Sequence, residues 1–163
     1  MRNASIRRLV LSGLMAAITC LLTLVSYRIP GTESAYANLG DAGVYLSAFL
    51  LAGPWGALSA AVGSAIADVV LASALYAPAT FVIKGAMALI AGALLKKAEG
   101  AKRVLVLFPA GIVMPVGYFL YEWLLYGIPT ALISVPLNLV QMCLGIVIGG
   151  AAILATARLP LEK

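Results

Sequence analysis

The chain alternates between long apolar runs and short polar connections, a pattern typical of a protein that crosses a membrane several times. A helix needs roughly 20 predominantly apolar residues to cross the hydrocarbon core of a bilayer. We therefore predict an all-α, polytopic membrane protein, a six-transmembrane-helix bundle in which residues 1–163 form a single integral membrane domain. The apolar runs that predict the six spans cover about residues 9–26, 39–52, 55–75, 78–95, 104–126 and 131–157.

The composition supports a chain that is surrounded by lipid. Hydrophobic residues make up 63% of the sequence and charged residues 10%, and the mean hydropathy is +1.07. A soluble domain usually contains about 45–50% apolar and roughly 25% charged residues. The sequence contains no histidine, which excludes catalysis by histidine and metal sites built on imidazole.

The basic residues predict the orientation in the membrane. With six spans, nine of the eleven lysines and arginines fall on one side. Cytoplasmic connections are enriched in Lys and Arg, so both termini are expected in the cytoplasm. Nucleic-acid binding is not expected, because the basic residues lie at the ends of apolar runs and are not interleaved with aromatic residues. The nine are Arg2, Arg7, Arg8, Lys96, Lys97, Lys102, Arg103, Arg158 and Lys163.

Four ionisable residues are not explained as anchors at a basic connection: Asp41, Asp68, Lys84 and Glu122. A charge near the bilayer centre costs at least ~2.5–3.5 kcal/mol, so such side chains usually face the bundle interior or a watery cavity. In the six-span topology all four fall in the outer half of the membrane. A structural ion pair, such as Asp68 with Lys84, is an alternative explanation that is compatible with a pocket.

Uncharged polar residues fall in the same half and share helix faces with these charges. Thr80 lies four residues before Lys84, and Tyr118 lies four before the glutamate of the fifth run. Residues at this spacing are neighbours on a helix surface. Asn138 and Gln141 lie about one turn apart on the sixth run. The pattern predicts a polar pocket that opens to the outside above a dry inner half.

The first run carries two small residues, Gly13 and Ala17, four positions apart. Small residues at this spacing allow two membrane helices to approach closely. We predict that this face receives a helix of a partner protein.

No motif for ATP hydrolysis or covalent catalysis occurs in the sequence. It lacks both the Gly-rich phosphate loop and the Gly-x-Ser-x-Gly elbow. We therefore expect a protein that is not an enzyme and that uses no cofactor and no metal. Two less favoured alternatives are an intramembrane enzyme with Asp68 and Glu122 as paired carboxylates and a membrane assembly factor without a ligand.

Four segments carry a resemblance to a known family: NLGDAGVYL at residues 38–46, GSAIAD at 63–68, YAPATFVIKG at 76–85 and PLNLVQ at 136–141. They resemble the substrate-binding (S) components of energy-coupling factor (ECF) vitamin transporters, in particular the branch with the riboflavin and hydroxymethylpyrimidine S components. The resemblance extends over essentially the whole chain. The family's Ala-x-x-x-Ala docking motif appears here as Gly13 and Ala17.

The resemblance implies a membrane subunit in the plasma membrane of a prokaryote that binds one vitamin-like molecule near the outer surface. Residues 27–38 would cover the ligand as a lid. Import would require a transmembrane coupling protein and two ATPase subunits. A stand-alone small-solute facilitator or channel without an ATPase partner remains an alternative.

The expected ligand is a heterocycle such as hydroxymethylpyrimidine, pyridoxine or riboflavin. Amide side chains would donate and accept hydrogen bonds, and Tyr118 or Trp123 would stack on the ring. The candidate substrate-binding residues are Asn38, Asp41, Asp68, Thr80, Lys84, Tyr118, Glu122, Trp123, Asn138 and Gln141.

Overall fold

A computed structural model describes residues 2–28 and 36–158, which are predominantly helical. Two three-residue strands between the first and second helices pair antiparallel, with Tyr27 opposite Ala37. The elements are α1 (Arg2–Leu24), β1 (Ser26–Arg28), β2 (Tyr36–Asn38), α2 (Gly40–Leu51), α3 (Gly53–Val70), α4 (Ala77–Leu95), the one-turn α5 (Lys102–Leu105), α6 (Leu107–Tyr126) and α7 (Ile128–Thr156).

The helix α2 lies at the centre of the bundle. It packs against α1, α3, α4 and α7, while α3 contacts α4, α4 contacts α6 and α6 contacts α7. Val44, Tyr45 and Ala48 of α2 are almost completely buried and belong to the main apolar cluster. Residues of every long helix except α1 join this cluster, so α2 is the element around which the others are arranged.

The prediction of an all-α membrane bundle is confirmed, but the count of six crossings is not. Four helical segments among the described residues are long and apolar enough to cross a bilayer: Ser5–Leu24, Ala77–Leu95, Lys102–Tyr126 and Ile128–Thr156. The run predicted as a span at 39–52 folds as α2, which has 12 residues. At ~1.5 Å per residue it is about 18 Å long, too short to cross a hydrocarbon core of ~30 Å by itself.

Proline and glycine set the helix boundaries. Pro54, Pro78 and Pro129 stand in the first turns of α3, α4 and α7, where the missing N–H costs no helical hydrogen bond. Gly127 alone separates α6 from α7 and has a φ of 84°. Because residues with a Cβ rarely adopt this backbone conformation, the sharp turn there depends on glycine.

The bundle has two chemically different ends. The first, which we call the network end, is where α1, α3 and α6 finish and where α2, α4 and α7 begin. A hydrogen bond from Tyr76, at the start of α4, to Glu122, near the end of α6, joins two of these termini. At the opposite end the guanidinium of Arg103 lies 5.1 Å from the ring centroid of Phe49. The exposed basic residues at the opposite end are Arg7, Arg8, Lys96, Lys97, Lys102 and Arg158.

Candidate functional site

A buried ion pair between Asp41 and Lys84 lies at the network end. Asp41 is in the first turn of α2, and Lys84 is two turns into α4. The two side chains are 0% and 3% exposed, and the Lys84 ammonium donates to Asp41 Oδ1. Gln141 Nε2, from the middle of α7, donates to the same oxygen at 3.2 Å. Three helices therefore meet at one carboxylate.

Gln141 also connects this carboxylate to the strand β2. Its Oε1 accepts a hydrogen bond from the backbone N–H of Asn38 at 3.1 Å. The side chain of Asn38 in turn accepts from the N–H of Gly40 at 2.8 Å, which satisfies a free amide at the start of α2. The position of the hairpin strand is thus tied to the position of α7.

Lys84 also borders an aromatic side of the site. Its Nζ lies 5.6 Å from the centroid of the Tyr118 ring, within the range of a cation–π interaction. The hydroxyls of Tyr118 and Thr80 are hydrogen-bonded at 2.8 Å. Tyr118 therefore presents its ring to the ammonium while its hydroxyl is held by α4.

Glu122 lies one turn beyond Tyr118 and has a different environment. Its Oε1 accepts a hydrogen bond from the Tyr76 hydroxyl at 3.2 Å. The Tyr76 ring is 6.4 Å from the Tyr118 ring and 5.6 Å from the Tyr121 ring, measured between centroids. The hydroxyl of Ser134, on α7, lies beside the carboxylate. We call the connected set Asn38, Asp41, Tyr76, Thr80, Lys84, Tyr118, Glu122 and Gln141 the polar network.

Two further candidates are buried nearby. Asp68, near the end of α3, is 0% exposed and lies near the Tyr118 phenol. Asn138 is 7% exposed and precedes Gln141 by one turn of α7. Both therefore belong to the same end of the bundle as the polar network.

The structure does not bring Trp123 into the polar network. Its side chain is 47% exposed, and its ring packs near Phe119, with centroids 6.3 Å apart. Trp123 follows Glu122 directly, and adjacent helical residues point about 100° apart. A face that buries the glutamate therefore turns the tryptophan outward.

Lys84 forms its ion pair with Asp41, whereas the pairing named from the sequence joined it to Asp68. The carboxylate at the start of α2 lies on the central helix and is therefore within reach of α4. The spacing of residues in the sequence does not show which of two distant carboxylates lies nearer to Lys84. The packing of α2 in the structure is needed to identify it.

Sequence reasoning missed three buried polar residues of this region. Tyr76 is not among the predicted site residues, yet it is 6% exposed and bonds to Glu122. Ser134 is 2% exposed and Tyr45 is completely buried. Helical spacing contained the signal for two of them, since Ser134 precedes Asn138 by four residues and Tyr45 follows the aspartate of α2 by four.

Two buried carboxylate oxygens of the site have unused hydrogen-bonding capacity. Asp41 Oδ2 and Glu122 Oε2, both at the network end, are buried without a hydrogen-bond partner. Such atoms are rare in folded proteins because each loses its hydration without compensation. Their concentration at one end of the bundle makes this end a candidate site for a polar ligand.

The predicted lid can be described only at its edges. Tyr27 lies in β1 and is 67% exposed, and Asn38 ends β2. Residues 29–35, the centre of the predicted lid, lie outside the described residues. The lid remains a prediction.

Gly13 and Ala17 lie on the outward face of α1. Both are exposed, and a Cβ added to Gly13 would meet no atom within 4 Å. Leu9 and Leu21, four residues before and after them, are 61% and 64% exposed. We call Leu9, Gly13, Ala17 and Leu21 the α1 stripe. No helix in the described part of the chain covers it.

Gly145→Ala is expected to destabilise the site. A Cβ at this position of α7 would lie 2.4 Å from Asp41 Cβ, so α2 and α7 must separate. Overpacking of this kind costs typically about 1–3 kcal/mol. Gly85→Ala is the matched control, because its Cβ would make an ordinary contact of 3.6 Å with Ala61. Thermal unfolding of the detergent-solubilised variants measures the effect, and equal melting temperatures for the two would contradict this packing.

Comparison with known proteins gives consistent matches. The family model described as "ECF-type riboflavin transporter, S component" matches residues 3–158. A Pyrococcus woesei protein, described as an uncharacterized protein in the gap 3' region, is 36% identical over 135 residues, which cover 82% of this chain and 90% of that protein. The thiamine precursor transporter HmpT of Lactococcus lactis subsp. cremoris is 28% identical over 149 residues, covering 91% of this chain and 86% of HmpT.

A solved structure shares the fold. The crystal structure of the S component for biotin from an ECF-type ABC transporter superposes with a TM-score of 0.74. The match covers 98% of this chain and 95% of that chain, at 18% sequence identity. The two proteins therefore share the same arrangement of helices over almost their whole length.

Proposed function

The chain belongs to the family of ECF-type riboflavin transporter S components, and on that basis we propose that its polar network captures a small vitamin or vitamin precursor from outside the cell. The protein is a multi-pass membrane protein of vitamin uptake. The single observation that carries the proposal is that two buried carboxylate oxygens, Asp41 Oδ2 and Glu122 Oε2, lie without partners at the network end. A ligand with matching donors and acceptors would satisfy them.

The proposed orientation places the network end outside. The exposed basic side chains that the structure describes are at the opposite end. Since basic residues favour the cytoplasmic side, we propose that both termini are cytoplasmic in the plasma membrane of a prokaryote. In this arrangement α1, α2, α3, α4, α6 and α7 would run in alternating directions between the two sides of the membrane, and the short α2 would lie inside the bundle without reaching through the whole hydrocarbon core.

The proposed ligand chemistry follows from the side chains that surround the network. Amides and hydroxyls supply both donors and acceptors, and Tyr118 supplies an aromatic face. Substrate candidates are a thiamine precursor such as hydroxymethylpyrimidine, by similarity to HmpT, and riboflavin, by the family description. We propose that the hairpin covers the bound ligand, because a hydrogen bond between Asn38 and Gln141 connects its second strand to the site.

The proposed partner is an ATPase-driven coupling module made of a transmembrane coupling protein and two ATPase subunits. We propose that these subunits hydrolyse the ATP that drives uptake, because the sequence contains no phosphate-binding loop. The α1 stripe supports this assignment, because its small residues would allow a partner helix to approach.

Mass spectrometry of the molecule that co-purifies with the detergent-solubilised protein tests the proposed function. A bound vitamin or vitamin precursor is the expected result. Uptake of that molecule by vesicles containing this chain alone would contradict the requirement for an ATPase partner.

Asn138→Ala is expected to weaken ligand binding by about tenfold, the loss of one hydrogen bond of roughly 1–1.5 kcal/mol. The side chain is 7% exposed beside the polar network, so folding should be retained. Thr156→Ala is the control, because Thr156 bonds to Ala152 on the same helix at the opposite end. Titration of purified variants with the identified ligand gives the affinities. Equal affinity for the two variants would remove Asn138 from the site.

A further inference from the structure

The connection between α4 and α5 concentrates positive charge at the end of the bundle opposite the polar network. Residues 96–103, which we call the basic loop, contain four basic residues and one acidic residue. Only residues 96–101 separate the two helices, so the loop stays at the level of the helix ends. Directly after it, Leu105 and Phe108 are 65% and 44% exposed. The charge therefore lies at the border between an apolar outer surface and water. The exposed cations of the loop are Lys96, Lys97 and Lys102.

The fourth cation of the basic loop, Arg103, is held in place by two contacts. Its Nε donates to the carbonyl oxygen of Ala98 at 3.1 Å. Its guanidinium carbon lies 5.1 Å from the centroid of the Phe49 ring, near the end of α2, which is a cation–π distance. A basic residue that only sets the orientation of the chain needs its charge and no such support. Arg103 is thus more ordered than its role as an anchor requires.

These contacts leave one edge of the Arg103 guanidinium available. The Nε side bonds to a backbone oxygen and one face packs on a ring, while the two terminal nitrogens have no hydrogen bond or ion pair with the described residues. Two parallel N–H donors on a planar cation match two oxygens of a phosphate or a carboxylate. The geometry therefore suits an anion with two adjacent oxygens, and the neighbouring lysines add to its attraction.

We propose that Arg103 and the lysines of the basic loop bind the phosphate of an anionic phospholipid headgroup. Headgroups lie at the depth of helix ends in a bilayer, and clustered Lys and Arg beside a membrane helix attract anionic lipids. The acyl chains would lie along the exposed side chains of Leu105 and Phe108, an apolar surface that a free anion in water would not use. This inference goes beyond the proposed function, because it does not depend on what the polar network binds.

Native mass spectrometry of the purified full chain in detergent tests the lipid site. Phosphatidylglycerol and phosphatidylcholine with the same acyl chains are the two probes, and the bound fractions give their affinities. Phosphatidylglycerol is expected to bind at least about tenfold more tightly, since only this lipid carries a net negative charge. Inorganic phosphate at the concentration of the lipid is expected to leave lipid binding unchanged, because it has no acyl chains.

Three variants separate a built site from simple net charge. Arg103→Gln is expected to lower the phosphatidylglycerol affinity at least about tenfold, the effect of losing charge-assisted hydrogen bonds. Arg103→Lys is expected to cause most of the same loss, because lysine keeps the charge but has no planar pair of donors. Phe49→Leu changes no charge and removes the ring that supports the guanidinium, so a loss of about two- to fivefold is expected.

Arg8→Gln is the matched control for the loss of charge. Arg8 is exposed on α1, a helix that packs against α2 and α3, whereas α5 packs against α6 and α7. This variant is expected to bind phosphatidylglycerol like the wild type. Because Arg103→Lys and Phe49→Leu alter the site without removing charge, they keep the test decisive even if Arg103→Gln does not fold.

Four results would overturn the lipid site. Equal affinity of the wild type for the two lipids rejects it, and displacement by inorganic phosphate assigns the guanidinium to a free anion. Wild-type binding by Arg103→Lys, or an equal loss in Arg8→Gln, reduces the effect to net charge. Absence of any lipid preference, together with loss of the co-purifying coupling module in Arg103→Gln, assigns the same edge to an acidic protein surface. All four leave the proposed function of the polar network standing.

Discussion

Lys84→Met is expected to lower the free energy of unfolding by about 3–5 kcal/mol, because it leaves the Asp41 carboxylate buried without its counter-charge. Both side chains are almost completely buried, and Gln141 is the further donor to the same oxygen. Methionine fills the space of the lysine stem but supplies no charge. The double variant Asp41→Asn with Lys84→Met is expected to recover most of the loss, because it buries no unpaired charge.

Denaturation of the purified variants in detergent measures these differences. Lys96→Met is the matched control, since Lys96 is exposed at the opposite end, and its effect should stay within about 0.5 kcal/mol. If Lys84→Met behaves like Lys96→Met, the ion pair does not hold α2 to α4. If the double variant is no more stable than the single one, the loss comes from packing rather than from the unpaired carboxylate.

Gly13→Leu and Ala17→Leu are each expected to lower uptake at least about tenfold while leaving ligand affinity unchanged. A leucine side chain on the α1 stripe keeps a partner helix at a distance, and a loss of roughly 1.4 kcal/mol in docking already accounts for a tenfold effect. A Cβ added at Gly13 meets no atom of the described residues within 4 Å, so the larger side chain is expected to fit without disturbing this chain. Uptake is measured in cells or vesicles that contain the coupling module, and affinity on the purified chain.

Ala93→Leu is the control for the α1 stripe. Ala93 is an exposed small residue on the fourth helix, so the same increase in side-chain size is placed on another outward face. Normal uptake for Gly13→Leu and Ala17→Leu would show that the coupling module docks elsewhere. Weaker ligand binding in either variant would show that the stripe affects the site within this chain.

Much of the fold was predictable because lipid restricts the choices of the chain. Backbone groups inside a bilayer must be bonded within the protein, so apolar runs of sufficient length become helices. The run at 131–157 corresponds to α7 within a few residues. The length of α2 could not be predicted as well, because a short helix in the centre of the bundle and a membrane-spanning helix are both apolar. The break between α5 and α6 and the small β-hairpin depend on turn geometry that short segments do not specify.

The sequence was sufficient to predict at which end of the bundle the site lies. It was not sufficient to predict which carboxylate pairs with Lys84. The cost of burying charge identified Asp41, Lys84 and Glu122 as residues in need of partners, and the structure places them at one end of the bundle. Which carboxylate meets the lysine depends on the position of α2 inside the bundle. The exposure of Trp123 follows from the burial of Glu122 directly before it on α6, and the apolar residues around the rest of that helix do not indicate its rotation.

The distribution of side chains is inverted relative to a water-soluble protein, and this reverses the expected pattern of mutational tolerance. Leu124 is 83% exposed, whereas Asp41 is completely buried and Gly145 is in contact with it. Lipid tails solvate leucine as well as a protein interior does, so exchange among large aliphatic residues on the outside should be nearly neutral. Changes at the smallest residues inside should be the damaging ones. A deep mutational scan would therefore find its most constrained positions among glycine, alanine and serine rather than among leucine and isoleucine.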